Sequence, residues 1–324
     1  MKGFDAEFAN LDQYIRVITD RVWEGRRIDD IRRYYGDDCA VESPSSVSIG
    51  LEPVMESTRA TLRAFPDRRL LAEDVIISGD EEAGFLSSHR IFSPMTHAGD
   101  GVFGPATQRP VYVRTIADCV CLNNRIVHEW LVRDQAAIAR QIGLLPRDVA
   151  QSWIDRSGGW NKGPMPLAPT PYQSFIDPHP LAQRYAQELT QIWEQQDRGF
   201  LERNHAATCI SCLPAGNVAV GSHVLIRFWT ELSAPFEVGQ TSIEHLVANE
   251  RSGRATAIAA RWRARLTHSR PGRFGAPSGH PVEILGISHG EYEGGQLVRE
   301  WHLIDEIAIW MQILTPRTAE HGTR

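Results

Sequence analysis

Lysine is almost absent from this sequence. Only Lys2 and Lys162 occur in 324 residues, so arginine supplies 32 of the 34 basic side chains. Schiff-base catalysis and phosphate-binding P-loops both need a lysine held in a structured site. Because Lys2 lies next to the N-terminus and Lys162 in a Gly/Pro-rich stretch, the sequence argues against both functions.

Long apolar runs are missing as well. No stretch approaches the ~18 consecutive apolar residues of a membrane helix, and the N-terminal residues lack the apolar core of a secretory signal. The net charge of −6 offers no general attraction for nucleic acid. The zinc motif H-E-x-x-H does not occur, and the five cysteines, an odd number, indicate reduced thiols. We therefore expect a cytoplasmic protein that binds neither membrane nor nucleic acid.

The sequence contains two copies of one unit. Trp23-Glu24 returns as Trp193-Glu194, and from Gly50 onward the offset stays at 171. The matched residues are Gly50 and Gly221, Phe65 and Phe236, Glu73 and Glu244, Arg90 and Arg261, Thr96-His97 and Thr267-His268, Glu129-Trp130 and Glu300-Trp301, and Asp134 and Asp305. A constant offset over so many Gly, Trp, His and Asp residues indicates an internal duplication. We expect domains at 1–148 and 178–324, joined by a Pro/Gly-rich linker at 149–177.

Within each unit the pattern predicts helices first and strands later. Apolar residues at helical spacing occur over 11–35, and a second helix is expected over 53–64. Strand-like runs cover 69–78, 82–92, 110–121 and 125–134, and a short helix follows at 135–142. Helices followed by strands in hairpins predict an α+β unit with a curved antiparallel sheet wrapped over helices.

These residues form an ordered set that can be compared with known families. The set comprises Trp23, Gly50, Phe65-Pro66-Asp67, Thr96-His97, Gly101, Gly104, Arg125-Ile126-Val127, Glu129-Trp130 and Asp134. It resembles the SnoaL-like polyketide cyclase family of the NTF2-like superfamily, over nearly all of the first unit and more weakly in the second. The resemblance implies two tandem cone-shaped α+β barrels, each enclosing an apolar pocket. It also implies an Asp acid/base on the last long strand and no metal or organic cofactor.

Asp134 and Asp305 are the leading candidates for that acid/base. Alternation along a strand places Asp134 on one face with Trp130, and Asp305 on one face with Trp301. A carboxyl that shares an apolar pocket face loses hydration, which raises its pKa towards the range of a general base. The alternative is that each Asp only caps the helix that follows it.

Histidines near these carboxyls are the candidate partners. His97 and His268 each lie 37 residues before their Asp in a Gly-flanked loop, where they could exchange a proton or merely fix the loop. In the strand before the last, Asp118 of the first unit becomes His289 in the second, and Val120 becomes Glu291. If these side chains point inward, the second pocket has the larger acid/base set; if outward, they are surface residues.

Arginines and cysteines supply weaker candidates. Arg261, whose counterpart is Arg90, begins an alternating basic strand that could select an acidic substrate. The same strand face could instead be solvated or paired with acidic groups across the domain interface. Cys209 and Cys212, with His205 nearby, lack the second ligand pair of a usual zinc site, so no metal is expected.

The combined expectation is a cofactor-independent lyase or isomerase of the cyclase type. Asp134 or Asp305 would abstract a proton beside a carbonyl, and His97, His268 or His289 would stabilise the developing oxyanion. Trp130, Trp301, Arg90, Arg261, Asp118 and Glu291 would contact the small-molecule substrate. A water-adding enzyme, such as an epoxide hydrolase or hydratase, and a non-catalytic binding module remain open, because the fold alone does not fix the reaction. The two units are expected to face one another as an internal pseudo-dimer, and further homo-oligomerisation is left open.

Overall fold

Each half of the chain folds into a bent six-stranded sheet with helices packed against it. The computed structural model describes residues 1–163, 166, 172, 174–194 and 199–316. In chain order the first half comprises α1 (Leu11–Thr19), a π-helical turn (Asp20–Glu24), a 3₁₀ turn (Ile28–Asp30), α2 (Ile31–Tyr34), β1 (Tyr35–Glu42), β2 (Val47–Ile49), α3 (Leu51–Ala64), β3 (Leu71–Asp80), β4 (Gly84–Thr96), β5 (Pro110–Leu122), β6 (Arg125–Arg133), α4 (Gln135–Gln141) and α5 (Pro146–Ser157).

The second half repeats this order of elements. It comprises α6 (Pro180–Glu194), α7 (Gly199–Asn204), β7 (His205–Leu213), a 3₁₀ turn (Pro214–Gly216), β8 (Asn217–Val220), α8 (Ser222–Ser233), β9 (Phe236–Asn249), β10 (Thr256–His268), β11 (Pro281–Glu293), β12 (Gln296–Leu303) and α9 (Glu306–Leu314). The strand orders are β2-β1-β6-β5-β4-β3 and β8-β7-β12-β11-β10-β9. The expected α+β class and the shared topology of the two halves are therefore confirmed.

The start of the first sheet differs from the expectation. The helix predicted over 11–35 ends at Thr19 and continues as a π-helical turn that Gly25 closes, where its N–H bonds the carbonyl of Asp20. The chain then enters β1, which pairs in parallel with β6, whereas the other neighbouring strands pair antiparallel. The sequence pattern missed the β1–β2 hairpin because β2 has only three residues.

The segment expected as a linker begins inside a helix. Helix α5 covers Pro146–Ser157, with Pro146 at its first turn and Gly158 at its left-handed C-cap. It packs on α9, and its Val149 and Ile154 share an apolar cluster with Ile307 and Met311 of the second half. Positions 164, 165, 167–171 and 173 of the expected linker lie outside the described residues.

The two sheets face each other across an apolar layer. Residues of β4, β5 and β6 pack there against residues of β11 and β12. The layer contains Leu86, Ile116, Val120, Trp130, Val132, Leu285, Ile287 and Leu303. Its contacts are reciprocal: the Arg90 guanidinium lies 3.5 Å from the ring centre of Trp301, and that of Arg261 lies 3.5 Å from the ring centre of Trp130. Equal contacts between equivalent residues are what a twofold relation between the halves produces.

Among the described residues, no helix has the length and apolar character needed to span a bilayer.

Candidate active site

The first domain encloses a cavity of about 220 Å³ between its sheet and helices α1 and α3. Its polar lining comprises Tyr35, Arg68, His89, Thr115, Glu129, Arg133, Gln135 and Asp305, together with further serines and threonines. Apolar side chains, including Ile15, Ile18, Trp23, Ile91 and Leu131, form the rest of the wall. A mostly apolar cavity with a few converging polar groups suits a small organic molecule.

Strand alternation decides which residues reach this cavity. On β6, Glu129, Leu131 and Arg133 line the cavity, whereas Trp130 and Val132 point to the opposite face and pack against the second domain. The prediction placed Trp130 and Asp134 on one face of the strand and assigned that face to the pocket. The structure places Trp130, with Val132, at the domain interface.

Glu129 is the cavity carboxyl in the most unusual surroundings. It is buried, and the hydroxyl of Tyr35 donates a 2.9 Å hydrogen bond to its Oε2. Burial raises the pKa of Glu129 to about 7, although the Tyr35 hydroxyl and the charge of Arg133 oppose the rise. A carboxyl that titrates near neutrality can both accept and return a proton at physiological pH.

His89 places a neutral imidazole in the same cavity. Burial, with the nearby charges of Arg16 and Arg90, lowers the pKa of His89 to about 3. Neither its Nε2 nor the hydroxyl of Thr115 has a hydrogen-bond partner among the described residues. Since buried polar atoms are normally paired, these two atoms are available to a ligand or to water.

Two arginines bring positive charge to the cavity, and neither forms a salt bridge among the described residues. Arg68 is 5% exposed, and burial together with the charges of Arg133 and Arg26 lowers its pKa well below the usual value. Burial also lowers the pKa of Arg133, and its Nε has no hydrogen-bond partner within the described parts of the chain. Guanidinium groups remain protonated in proteins, so both charges stay and would gain from a bound anion.

Asp305 reaches this cavity from the second half of the chain. The residue caps α9, where its Oδ1 accepts a 2.9 Å hydrogen bond from the backbone N–H of Ile307. Burial raises the pKa of Asp305 to about 8, and the charge of Asp134 adds to the rise. Asp305 therefore both caps a helix and lines a pocket, but the pocket belongs to the other domain.

Asp134, the equivalent residue, does not line this cavity but a second one of about 280 Å³, together with Arg114, Gln141 and Asn217. Its Oδ1 accepts from the backbone N–H groups of Ala137 and Ala215, both at 3.0 Å, and its Oδ2 accepts from that of Gly216 at 2.9 Å. Burial raises the pKa of Asp134 to about 7, and these three donors oppose the rise. The carboxylate is occupied by helix capping and by a link to the second half, which leaves it poorly placed to act on a substrate.

The loop histidines also lie outside the cavity lining. His97 Nδ1 pairs with the hydroxyl of Thr107 at 3.1 Å, and His268 Nδ1 pairs with that of Ser278 at the same distance. Each ring packs beside the phenylalanine of its own half, Phe65 or Phe236 in turn. The repeated arrangement matches the loop-fixing alternative.

The remaining expected site residues meet at the interface between the halves. Arg90 Nη1 donates to His289 Nδ1 at 3.1 Å, and because arginine only donates, the His289 proton lies on Nε2 and points to Ser88 Oγ at 2.7 Å. Arg261 pairs with Asp118 at 2.9 Å, and Arg90 with Glu291 at 3.7 Å.

These ion pairs and the two Arg–Trp stacks place the interface set between the halves and outside the cavity, although His289 was expected to be catalytic and the other members to bind substrate. Its members are Arg90, Asp118, Trp130, Arg261, His289, Glu291 and Trp301. They hold the halves together, which was the other role considered for the basic strand.

The second domain fills the space that is open in the first. Ser57, Thr58 and Thr61 of α3 lie at the cavity, and the 171-residue offset places Phe228, Trp229 and Leu232 at the same positions of α8. All three large side chains are buried in the apolar core of the second domain.

Trp262 replaces Ile91 in the same way. An added Cβ at Gly286, the counterpart of Thr115, would lie 2.2 Å from the Trp262 ring. The inward residues of this domain therefore pack against each other instead of lining an equivalent cavity.

Potential metal ligands gather elsewhere. Within the described parts of the chain, sets of three ligand atoms within 4.8 Å of one another occur only in the second domain, as His205, Cys209 and Glu300 and as Glu188, Glu300 and His302. Cys212 belongs to neither set, and Arg114 contacts its sulfur at 3.6 Å.

The family model for SnoaL-like polyketide cyclases matches residues 14–142 and again residues 183–313. The chain belongs to this family. Similar solved structures each correspond to one half of it. IdmH of Streptomyces antibioticus is 20% identical, covers 41% of this chain and 98% of its own, and has a TM-score of 0.36. TsrD of Streptomyces laurentii is 18% identical over 44% of this chain and 100% of its own, with a TM-score of 0.37.

A third structure, a SnoaL-like polyketide cyclase from Agrobacterium tumefaciens, is 22% identical over 42% of this chain and 100% of its own, with a TM-score of 0.33. No curated protein matches the sequence.

His89, Arg68 and Arg133 of this SnoaL-like chain were not among the predicted site residues. Glu129 and Trp23 stood out only because the second unit repeats them. One signal was available: the inward triplet Glu129, Leu131, Arg133 becomes Glu300, His302, Ile304 in the second unit. The strand face whose residues differ between the two units is the cavity face. The face that has a tryptophan in both units, Trp130 and Trp301, lies at the interface.

Proposed function

We propose that this SnoaL-like protein is an acid–base enzyme of the polyketide cyclase type, a lyase or isomerase, acting on a small carbonyl compound that carries an acidic group. The observation that supports it is the convergence of Glu129, His89, Asp305 and two unpaired arginines on one cavity. In this proposal the first unit, 1–148, is catalytic and the second unit, 178–324, closes and supports it.

In the proposed chemistry, the two carboxyl groups with raised pKa values have opposite roles, one as a base and the other as an acid. Glu129, with a pKa of about 7, takes the proton from the carbon beside the carbonyl. Asp305, with a pKa of about 8, is mainly protonated at neutral pH and donates its proton to the carbonyl oxygen, so the product of this step is a neutral enol. Return of the first proton to another carbon, and of the second to Asp305, completes an isomerisation.

The arginines and the imidazole bind and orient in this scheme. Arg68 and Arg133 hold the acidic group of the substrate, and this contact places the reacting carbon in a fixed position. His89, neutral because of its lowered pKa, and Thr115 contact the carbonyl or a hydroxyl through their unpartnered atoms. Water addition is the second candidate, favoured by the same unpartnered Nε2 of His89, which can hold a water molecule beside Glu129.

The test is hydrogen exchange at the carbon beside the carbonyl. A panel of aromatic and alicyclic 3-oxo carboxylic acids is incubated in deuterated water, and deuterium uptake is followed by NMR. The wild type should accelerate uptake in at least one compound, and Glu129→Gln should slow it by about 10²–10⁴-fold. Hydrolysed or hydrated products without exchange would favour the water-adding candidate.

A matched pair of variants separates catalysis from structure. Asp305→Asn should lower the rate, whereas Asp134→Asn, at the equivalent position, should lower stability but retain the rate per folded molecule. Equal rate losses in the two variants would contradict the assignment of Asp305 to the cavity.

A further inference from the structure

The second domain contains a buried cluster of acids and histidines that the proposed reaction does not use. It consists of Glu188 on α6, His205 at the start of β7, and Glu300 and His302 on β12. None of the four side chains is more than 4% exposed in the structure. We call these four residues the polar cluster.

The distances within the polar cluster approach those between ligands of one metal ion, and ligand atoms of Glu188, Glu300 and His302 lie within 4.8 Å of one another. His205 Nε2 lies 3.4 Å from Glu188 Oε1 and 3.2 Å from Glu300 Oε1, and His302 Nε2 lies 2.8 Å from Glu300 Oε2. Bonds of about 2.0–2.1 Å in a tetrahedral zinc site separate neighbouring ligand atoms by roughly 3.4 Å. Small shifts would therefore bring these atoms to coordination distance.

Three buried atoms of the polar cluster contact only one another or His205. Glu188 Oε1, Glu300 Oε2 and His302 Nε2 form no hydrogen bond of good geometry among the described residues, and their contacts at 2.8–3.4 Å are with other members of the polar cluster. The other oxygens are occupied, because Asn204 donates to Glu188 Oε2 and the Ser211 hydroxyl donates to Glu300 Oε1. Buried polar atoms left without partners in this way call for an ion or water between them.

Both imidazoles are anchored through their other nitrogen. His205 Nδ1 lies 2.7 Å from the carbonyl oxygen of Leu201 and must carry a proton, so Nε2, which now contacts Glu300 Oε1 at 3.2 Å, is the nitrogen that would bind the ion. His302 Nδ1 lies 2.9 Å from Ser288 Oγ, which can accept its proton while also accepting from the indole of Trp262. Metal-binding histidines are usually oriented by such a hydrogen bond from the second ring nitrogen.

We propose that the second domain binds one divalent transition-metal ion of the zinc type through Glu188, His205, Glu300 and His302. Two carboxylates and two neutral imidazoles balance the charge of the ion, and the oxygen and nitrogen donors suit Zn²⁺. Because four protein ligands enclose the ion and no ligand position is exposed, its role is structural.

The first domain explains why the proposed site is confined to the second. The repeat places Ile18, Tyr35, Glu129 and Leu131 at the positions of the polar cluster, so only the glutamate is shared. In the first domain this glutamate faces an open cavity. In the second it faces two histidines and a second acid, beneath the large side chains that fill the cavity.

The experiment measures metal in the full-length chain. Protein is purified without chelator from cells grown with added Zn²⁺, and its metal content is determined by mass spectrometry after gel filtration. The wild type should hold one ion per chain. His302→Gln should reduce the content by at least about tenfold, and the control His223→Gln, a histidine with a 94% exposed side chain, should leave it unchanged.

A second measurement keeps the test independent of whether the variant folds. Wild-type protein from cells grown with Co²⁺ in place of Zn²⁺ should show the intense visible absorption of tetrahedral Co²⁺. Less than about a tenth of an ion per wild-type chain under both growth conditions would overturn the proposal. Equal metal content in wild type and folded His302→Gln would also overturn it. Either result would identify the polar cluster as a network balanced by protons.

Discussion

Glu129 combines burial, a tyrosine hydrogen bond and a nearby arginine charge. The charge of Arg133 and the Tyr35 hydroxyl favour the carboxylate, but burial has the larger effect and raises the pKa of Glu129 to about 7. The same residue type at the equivalent position of the second domain faces His205 and His302 instead. Neighbouring side chains, more than the residue itself, therefore determine what this glutamate can do.

The pH dependence of the reaction should reflect Glu129 and Asp305 together. Activity needs an ionised Glu129 and a protonated Asp305, so kcat/KM should rise with a midpoint near pH 7 and fall with a midpoint near pH 8. Asp305→Asn should remove the fall on the alkaline side along with most of the rate. A pH profile that is flat from pH 6 to 9 would contradict both assignments.

Glu129 should also make stability depend on pH. Its folded pKa of about 7 lies above the ordinary value of 4.5, so above pH 4.5 the unfolded chain releases this proton first. The free energy of unfolding should therefore decrease between about pH 4.5 and 7, by up to about 3 kcal/mol from this residue. Glu129→Gln should reduce that slope in urea unfolding curves recorded across this range. An unchanged slope would mean that the carboxyl is hydrated in the folded protein.

Arg133 should make the cavity bind negatively charged ligands more tightly than neutral ones. Its Nε is unpartnered in the cavity, and a charge-assisted hydrogen bond contributes about 1.5–3 kcal/mol. Arg133→Gln should therefore weaken the binding of an aromatic carboxylate such as benzoate by about 10–100-fold in calorimetry. Binding of benzamide, the neutral control of the same shape, should change little. An equal loss for both compounds would indicate altered packing instead of charge recognition.

At the level of strands, the period-two pattern predicted which residues lie together but not the direction they face. Both faces of β6 are buried, one by the cavity wall and one by the second domain. A pattern of buried and polar residues identifies a core face only when the other face meets water. The repeat and the four long strands of each unit could be predicted because they depend on spacing. The cavity could not, because it depends on which sheet face the partner half covers.

Helices α3 and α8 contain the clearest difference between the two halves. Thr58→Trp would copy Trp229 into the first domain, where the equivalent side chain lines the cavity. The variant should lose binding of benzoate while its circular dichroism spectrum stays that of the wild type. Glu56→Trp, on the exposed side of the same helix, is the control and should bind normally. Full binding by Thr58→Trp would show that ligands use another site.

At the level of the whole molecule, the reciprocal contacts between the halves predict that they unfold together. Each half buries charged side chains whose partners lie in the other half. Asp118 of the first half, for example, pairs with Arg261 of the second. A half on its own would expose the apolar layer and leave these charges unpaired. One cooperative transition is therefore expected in calorimetry, and two separate transitions would show that the interface contributes little.

Arg261 tests this coupling most directly. Its guanidinium pairs with Asp118 at 2.9 Å and stacks on Trp130 at 3.5 Å, so Arg261→Gln would leave a carboxylate buried without its counter-charge. Removing one partner of a buried pair costs about 3–5 kcal/mol, and urea unfolding followed by tryptophan fluorescence should show this loss in a single transition. Arg265→Gln is the control on the same strand, because Arg265 is 66% exposed and pairs with Glu283 of its own half. It should lower the free energy of unfolding by less than about 1 kcal/mol. Equal losses in the two variants would mean that the Arg261–Asp118 contact does not hold the halves together. Adding Asp118→Asn to Arg261→Gln should recover part of the loss, because the variant no longer buries an unpaired charge.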